Sequence, residues 1–167
     1  SEAIHSVVFA GDEVIVPPLK EYFPKDLADR VIDVIKMDIR AQEREILEAS
    51  IAALRKNDAQ SDRERVEELL DAYRANGLAC VGIEQTRKAF GVGQVDELVI
   101  AASPDTIDPA AAGVPPRAER ADRSANERAA DELIVQARIT AAKIRFIEDA
   151  SLLEPIGGVG AFLRFKV

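Results

Sequence analysis

The sequence has little of the chemistry that most catalytic and metal sites use. Cys80 is its only cysteine, His5 is its only histidine, and it has no tryptophan. A lone cysteine excludes an internal disulfide and a cysteine-based zinc site. We interpret Cys80, which lies between Ala79 and Val81, as a buried apolar residue rather than a nucleophile. We expect no histidine-dependent catalytic triad, because His5 stands at the extreme start of the chain.

Basic residues, aromatics and long apolar runs are also scarce. The 167 residues include 30 acidic and 22 basic side chains, a net charge of -8, and only 5% are aromatic. Proteins that bind nucleic acid usually have an excess of Lys and Arg, and those that bind single strands stack bases on aromatic rings. No apolar run approaches the roughly 18 residues of a membrane helix, and no signal sequence is recognisable. These absences predict a globular cytoplasmic protein with neither membrane nor nucleic acid as its direct partner.

The first third of the sequence predicts a strand, a loop and a long helix. Residues 4–10 are apolar and β-branched, which is typical of a strand, and Gly11 ends the run. Residues 14–24 contain three prolines and predict a loop. Beyond them, apolar residues recur at spacings of three, four and seven, which predicts an amphipathic helix over about 25–55.

The remaining sequence predicts an α/β layer. Polar residues 56–60 interrupt the helical pattern, and Ser61 followed by Glu64 predicts the capping box of a second helix that reaches about residue 76. Gly77 is its expected C-cap. Short apolar runs then alternate with helical patterns, which predicts an α/β layer in which one sheet is covered by helices. The predicted strands cover 78–83, 97–102, 143–147 and 161–167, and the predicted helices cover 84–90 and 126–140.

Two further segments connect these elements. Residues 103–124 are rich in proline, alanine and alternating charge and predict a long exposed loop. A glycine-rich turn is predicted immediately before the last strand, and its structural residues are Gly157, Gly158 and Gly160.

The glycine pairs do not form a phosphate-binding motif. A P-loop ends in Gly-Lys-Ser/Thr, and a dinucleotide fingerprint has a third glycine three positions after the second. That third position is Asp96 after Gly93 and Leu163 after Gly160. We therefore expect no cofactor, no catalytic residue and no metal site.

Two stretches together carry a family signature. The first is GLACVGIEQTRKAFGVGQVDELVI at 77–100, and the second combines KIRFI at 143–147 with GGVGAFLRF at 157–165. This order resembles the C-terminal domain of the class-one peptide-chain release factors of archaea and eukaryotes and of their relative Pelota, which end in a similar Gly-Gly-Ile-Gly-x-Ile-Leu-Arg-Tyr strand. The strand at 4–11 and the long helix after it resemble the end of the central domain of those proteins.

The resemblance implies a fold and a division of the chain. The fold is an α/β/α sandwich with a mixed four-stranded sheet, like that of kink-turn-binding ribosomal proteins. It is preceded by a strand and a long helix from the central domain. Residues 1–58 are then the C-terminal part of the central domain, and residues 59–167 are the release-factor-like C-terminal domain.

The resemblance also implies a function without catalysis, because the family's Gly-Gly-Gln loop lies upstream of the matched region. We expect an interaction module of a translation factor that acts at the ribosome, through its parent protein, in termination, rescue or hibernation. Its implied partner is a translational GTPase or another protein. The candidate partner-binding residues are Glu84, Arg87 and Lys88 near the end of one strand, and Arg164 on the last strand.

Two alternatives remain open. Kink-turn-binding proteins share the sandwich and grip RNA with a Gly-x-Asn-Glu-x-x-Lys segment, which here begins at Gly82 and retains Lys88. Glu84 replaces the asparagine, and a carboxylate repels phosphate and donates no hydrogen bond to guanine. We therefore expect no direct RNA binding by this chain. The second alternative is a small α/β enzyme.

Overall fold

Strands and helices alternate along residues 4–12, 14–107 and 125–166, which are the residues described by the computed structural model. By its internal contacts the chain divides into two units, Ser1–Ser61 and Asp62–Val167. In the first unit, β1 (Val7–Gly11) is followed by α1 (Val16–Glu21), α2 (Lys25–Ala28) and β2 (Val31–Lys36). β1 and β2 pair in parallel.

The predicted loop over 14–24 is wrong, because it contains α1. The predicted helix over 25–55 is wrong before residue 43, where β2 interrupts it, and is confirmed over residues 43–55. Residues 31–36 read VIDVIK, and their β-branched side chains favour an extended backbone once a partner strand is present. β1 is that partner, with Phe9 opposite Val34. The prolines at 17 and 18 lie in the first turn of α1, where backbone N–H groups have no partner within the helix.

One helix, α3 (Glu43–Arg74), runs for 32 residues through the predicted break at 56–60. The expected capping box at Ser61 is therefore wrong, because the helix contains no glycine or proline and its polar middle is compatible with a solvated helix. Asn76, with φ of 53°, takes the left-handed conformation that was expected of Gly77. The Gly77 N–H closes the helix end by donating to the Ala72 carbonyl at 2.7 Å.

The second unit confirms the mixed four-stranded sheet. Its elements are β3 (Ala79–Val81), α4 (Ile83–Gly91), β4 (Val95–Ala101), α5 (Ala125–Ile139), β5 (Lys143–Ile147) and β6 (Val159–Leu163). The strand order is β3-β6-β4-β5. β4 and β5 are parallel, and β6 is antiparallel to both β3 and β4.

Helices cover both faces of this sheet and form the predicted α/β/α sandwich. On one face α4 and α5 bury a cluster that includes Phe90, Ile100 and Leu133. On the other face the C-terminal part of α3 packs Val66 and Leu69 on a second cluster. Both faces of β4 are therefore apolar, which is typical of a central strand.

The predicted loop at 103–124 is wrong at its beginning. Residues 104–106 form a 3-10 turn. Ile107, which follows it, is only 1% exposed and belongs to the core cluster beneath α4 and α5. The rest of that prediction, residues 108–124, lies outside the described residues.

Candidate interaction surface

Three of the predicted partner-binding residues lie on α4, which begins where β3 ends. Glu84 and Lys88 are exposed. Arg87 is instead engaged within the domain, because its guanidinium donates two hydrogen bonds of 2.8 Å to the carboxylate of Glu132 on α5. Arg87 therefore links α4 to α5. The sequence around Arg87 does not reveal this role, because Glu132 is 45 residues away.

Arg164 follows β6 at the opposite end of the sheet from Glu84. β6 runs antiparallel to β3, so the end of β6 lies beside the start of β3. The Arg164 guanidinium lies 3.4 Å from a carboxylate oxygen of Asp96 and within 3.5 Å of the carbonyls of Thr140 and Ala141, which close α5. The structure therefore does not bring the four predicted partner-binding residues together.

The glycines before and within β6 hold the chain close to its neighbours. Gly157 and Gly158 have φ of 75° and 79°, in the left-handed region. A Cβ on Gly158 would lie 2.7 Å from the Thr106 carbonyl oxygen. Gly160 lies in β6 rather than in the predicted turn, and a Cβ there would lie 2.7 Å from the Leu69 side chain.

Exposed apolar side chains gather at the end of the sheet that carries Arg164. Leu78, Val92 and Phe165, here called the C-terminal patch, are each close to half exposed or more, and Phe165 is 46% exposed. The Leu163 N–H donates to the Leu78 carbonyl at 2.9 Å, and the Gln94 side chain donates to the Phe165 carbonyl at 3.1 Å. These bonds tie the end of the chain to the two segments that carry Leu78 and Val92.

Sequence reasoning missed this patch. The predicted strands over 78–83 and 161–167 include Leu78 and Phe165, but β3 begins at Ala79 and β6 ends at Leu163. Phe162 is the partly buried member of the pair, and the Arg65 guanidinium lies 3.9 Å from its ring centroid. The three-residue spacing of Phe162 and Phe165 places them on opposite faces of an extended chain, but it does not indicate which ring is exposed, because both faces of the sheet are covered.

Two ion pairs fasten α3 to the sheet. Glu97, only 8% exposed on β4, accepts hydrogen bonds from Arg65, which also bonds Glu68 at 2.6 Å. The hydrogen bond with Glu97 is the largest influence on Arg65 and raises the pKa of its guanidinium. On the same helix Asp62 accepts two bonds of 3.2 and 3.1 Å from Arg145 of β5. These charges are occupied in holding the fold together.

The sheet has few other side chains that could react or bind a metal. Burial raises the pKa of the Cys80 thiol, which is 7% exposed, so the thiol is protonated at neutral pH. This agrees with its interpretation as a buried apolar residue. Among the described residues, no group of three or more His, Cys, Asp or Glu side chains is arranged to hold a metal. No helix in the described part of the chain is long and apolar enough to cross a bilayer.

The part of the chain that contains the four-stranded sheet matches a known protein family. Residues 59–167, about two thirds of the chain, match the family model described as eRF1 domain 3. The chain belongs to this family. Its residues 59–167 are accordingly a translation-factor domain of the release factor and Pelota superfamily. No curated protein sequence matches the chain.

Solved structures of the same superfamily share the fold of this release-factor-family chain. A ribosome-bound archaeal Pelota, in a model that also contains ABCE1, matches with a TM-score of 0.60 and 18% identity over 98% of this chain and 44% of that one. Dom34 from S. cerevisiae, a translation termination-like factor that interacts with Hbs1, has a TM-score of 0.65 and 10% identity over 98% of this chain and 48% of that one. The C-terminal domain of the Methanosarcina mazei release factor has a TM-score of 0.53 and 18% identity, over 77% of this chain and 98% of that one. The chain spans less than half the length of the Pelota and Dom34 chains.

Proposed function

We propose that this chain is a non-catalytic docking module of a release-factor or Pelota-like translation factor that works at the ribosome in the cytoplasm. Residues 59–167 serve as the factor's C-terminal domain and residues 1–58 as the end of its central domain. The family match supports the translation role. The ribosome-bound Pelota and the Hbs1-binding Dom34 support association with the ribosome and with a protein partner.

The proposal of a protein partner rests on the exposure of the C-terminal patch. Exposed aromatic and aliphatic side chains beside a basic residue are typical of the centre of a protein interface. Phe165 supplies the aromatic ring, and Arg164 stands next to it. We infer that the patch docks a translational GTPase, the partner that the family resemblance implies, and that the exposed Glu84 and Lys88 make separate contacts.

The alternative of kink-turn RNA binding has less support. Glu84 is exposed in the first turn of α4, where it presents a carboxylate to any RNA that approaches the end of β3. The net charge of -8 adds a general repulsion of phosphate. The small-enzyme alternative gains no support from a metal centre, because no group of three or more His, Cys, Asp or Glu side chains among the described residues could hold a metal ion.

Replacing Phe165 with alanine should weaken binding to the GTPase about 10-fold or more, because truncating an aromatic anchor of an interface costs over 1 kcal/mol. Titration calorimetry of the 167-residue chain with a purified elongation-factor-Tu-class GTPase measures this. Phe146→Ala is the matched control, since Phe146 is similarly exposed but lies on β5. Its affinity and the thermal midpoints of both variants should equal those of the unchanged chain.

Co-sedimentation of the same chain with ribosomes and binding to a kink-turn RNA complete the test. Salt-sensitive RNA binding without GTPase binding would contradict the proposed GTPase docking and support the kink-turn alternative. GTPase binding that is equal for Phe165→Ala and the unchanged chain would remove the C-terminal patch as the docking surface.

A further inference from the structure

Asn76 and Gly77 form an Asn-Gly sequence in the turn that closes α3. The chain has three asparagines, and glycine follows only this one, since aspartate follows Asn57 and glutamate follows Asn126. Asparagine is one of the thermolabile residues of proteins. It reacts fastest before glycine, because glycine has no side chain to hinder the approach of its backbone nitrogen to the asparagine side chain.

Asn76 is exposed and lies at a weakly held end of the helix. Its φ of 53° is in the left-handed region, which is unfavourable for a residue with a side chain. The Asn76 N–H donates to the Tyr73 carbonyl at 3.0 Å, and the Gly77 N–H donates to the Ala72 carbonyl at 2.7 Å. Helix ends fray, so these bonds open more often than bonds in the middle of α3.

Lys166 holds this helix end closed from a position beyond β6. Its ammonium group donates to the backbone carbonyl of Asn76 at 2.7 Å and to the side-chain Oδ1 atom of the same residue at 2.6 Å. The two bonds restrain both the side chain and the peptide group that joins Asn76 to Gly77. The Ala72 carbonyl meanwhile retains the proton of the Gly77 nitrogen. The nitrogen must lose that proton to react, so the closed helix end protects the site.

We propose that Asn76 is a site of spontaneous deamidation, which proceeds when the end of α3 opens and the bonds to Lys166 break. The Gly77 nitrogen then attacks Cγ, the side-chain carbonyl carbon of Asn76. A bond forms between the nitrogen and Cγ, and the bond from Cγ to Nδ2 breaks. The proton of the Gly77 nitrogen passes through water to Nδ2, which leaves as ammonia. The product is a cyclic imide.

Water opens the imide in one of two ways. Addition at Cγ breaks the new bond from Cγ to the nitrogen and gives aspartate. Addition at the backbone carbonyl carbon of residue 76 breaks the original peptide bond and gives isoaspartate, in which the chain continues through the side chain. In both cases the hydroxyl of water completes a carboxyl group and a proton returns to the Gly77 nitrogen. A carboxylate therefore replaces the neutral amide.

The isoaspartate product changes the segment that carries Leu78 of the C-terminal patch. It adds one methylene group to the backbone immediately before Gly77. The Leu78 carbonyl accepts the Leu163 N–H at 2.9 Å, and Ala79 pairs with Phe162. The extra length has to be absorbed between α3 and this fixed register, where Leu78 lies. A resulting loss of GTPase affinity rests on the proposed function, whereas the modification itself does not.

Peptide mass spectrometry of the whole chain, incubated in mildly alkaline buffer, tests the site. Asn57, in the middle of α3, and Asn126 are controls within the same molecule. We expect the mass of a carboxylate in place of an amide to appear at Asn76 at least about 10-fold faster than at either control, because an exposed helix end opens far more often than a helix interior. Fragmentation of the modified peptide should identify isoaspartate. Equal rates at Asn76 and Asn57 would overturn the proposal.

Hydrogen exchange of the Gly77 amide measures the opening of the same helix end. Lys166→Met should speed both this exchange and the deamidation of Asn76 about 5-fold, because it removes the hydrogen bonds of the ammonium group. Lys143→Met, at an exposed lysine on β5, is the matched control and should change neither rate. Deamidation in Lys166→Met that is slower or unchanged while exchange accelerates would contradict the proposed opening step. Failure of the fresh chain to bind the GTPase would count against the proposed function alone, because the mass spectra decide the modification.

Discussion

Replacing Gly158 with alanine should lower the free energy of unfolding of the second unit by about 3 kcal/mol or more. Two costs combine at this position. A φ of 79° is unfavourable for an L-residue by roughly 1–2 kcal/mol. The added Cβ would also lie 2.7 Å from the Thr106 carbonyl oxygen, and displacing backbone in a packed region costs about 1–3 kcal/mol.

Substitutions at two other glycines separate the cost of the positive φ from the cost of the close contact. Gly93 has a φ of 70° with no atom within 4 Å of a Cβ, so Gly93→Ala should cost only about 1 kcal/mol. Gly91 lies in α4, with neither a positive φ nor a close neighbour, and Gly91→Ala should be neutral or slightly stabilising. Native-state hydrogen exchange of the Leu98 and Ile100 amides, in the centre of the sheet, measures all three. A cost for Gly158→Ala no greater than that for Gly93→Ala would refute the close contact with Thr106.

Replacing Arg65 with methionine should destabilise the second unit by about 2–3 kcal/mol. The substitution leaves the Glu97 carboxylate, 8% exposed on β4, without its guanidinium partner. Removing one partner of a fully buried pair costs about 3–5 kcal/mol. We expect less here, because the Arg65 side chain is 29% exposed and water partly replaces it.

The matched control is Arg74→Met on the same helix. Arg74 pairs with Asp71 on the surface, where ion pairs contribute about 0–1 kcal/mol. The double substitution of Arg65→Met with Glu97→Gln should recover most of the loss, since no buried charge then remains. Urea unfolding followed by exchange of the β4 amides reports the three variants. Additive losses in the double variant would show that the two side chains stabilise the domain independently.

The strands of the second unit were largely predictable, because each is a short run of apolar and β-branched residues between turn signals. The predicted strand at 143–147 coincides with β5. β2 was not predictable in this way. Its apolar residues Val31, Val34 and Ile35 satisfy the helical spacing as well as an extended one, and only the pairing with β1 decides between them.

The candidate surface was less accessible from sequence than the fold. Glu84 and Arg164 are both charged residues that follow a strand in the sequence. The antiparallel course of β6 nevertheless places them at opposite ends of the sheet. Arg65 and Glu97 are 32 residues apart, and no sequence pattern in either segment predicts the hydrogen bond between them. Contacts of this kind follow from sheet register and helix placement, which a single sequence does not encode locally.

The rate at which a thiol reagent labels Cys80 can report local opening of the protein. Cys80 is the only thiol in the chain, is buried, and lies on β3 opposite Ala161 of β6. Its thiol lies 3.8 Å from the Thr86 hydroxyl of α4, inside the cluster that α4 covers, so a thiol reagent reaches it only when the packing of β3 against α4 opens. The rate of labelling therefore reports how often this packing opens, with no engineered probe. Any partner that docks on Leu78, two residues before Cys80, should slow the rate by holding β3 in place.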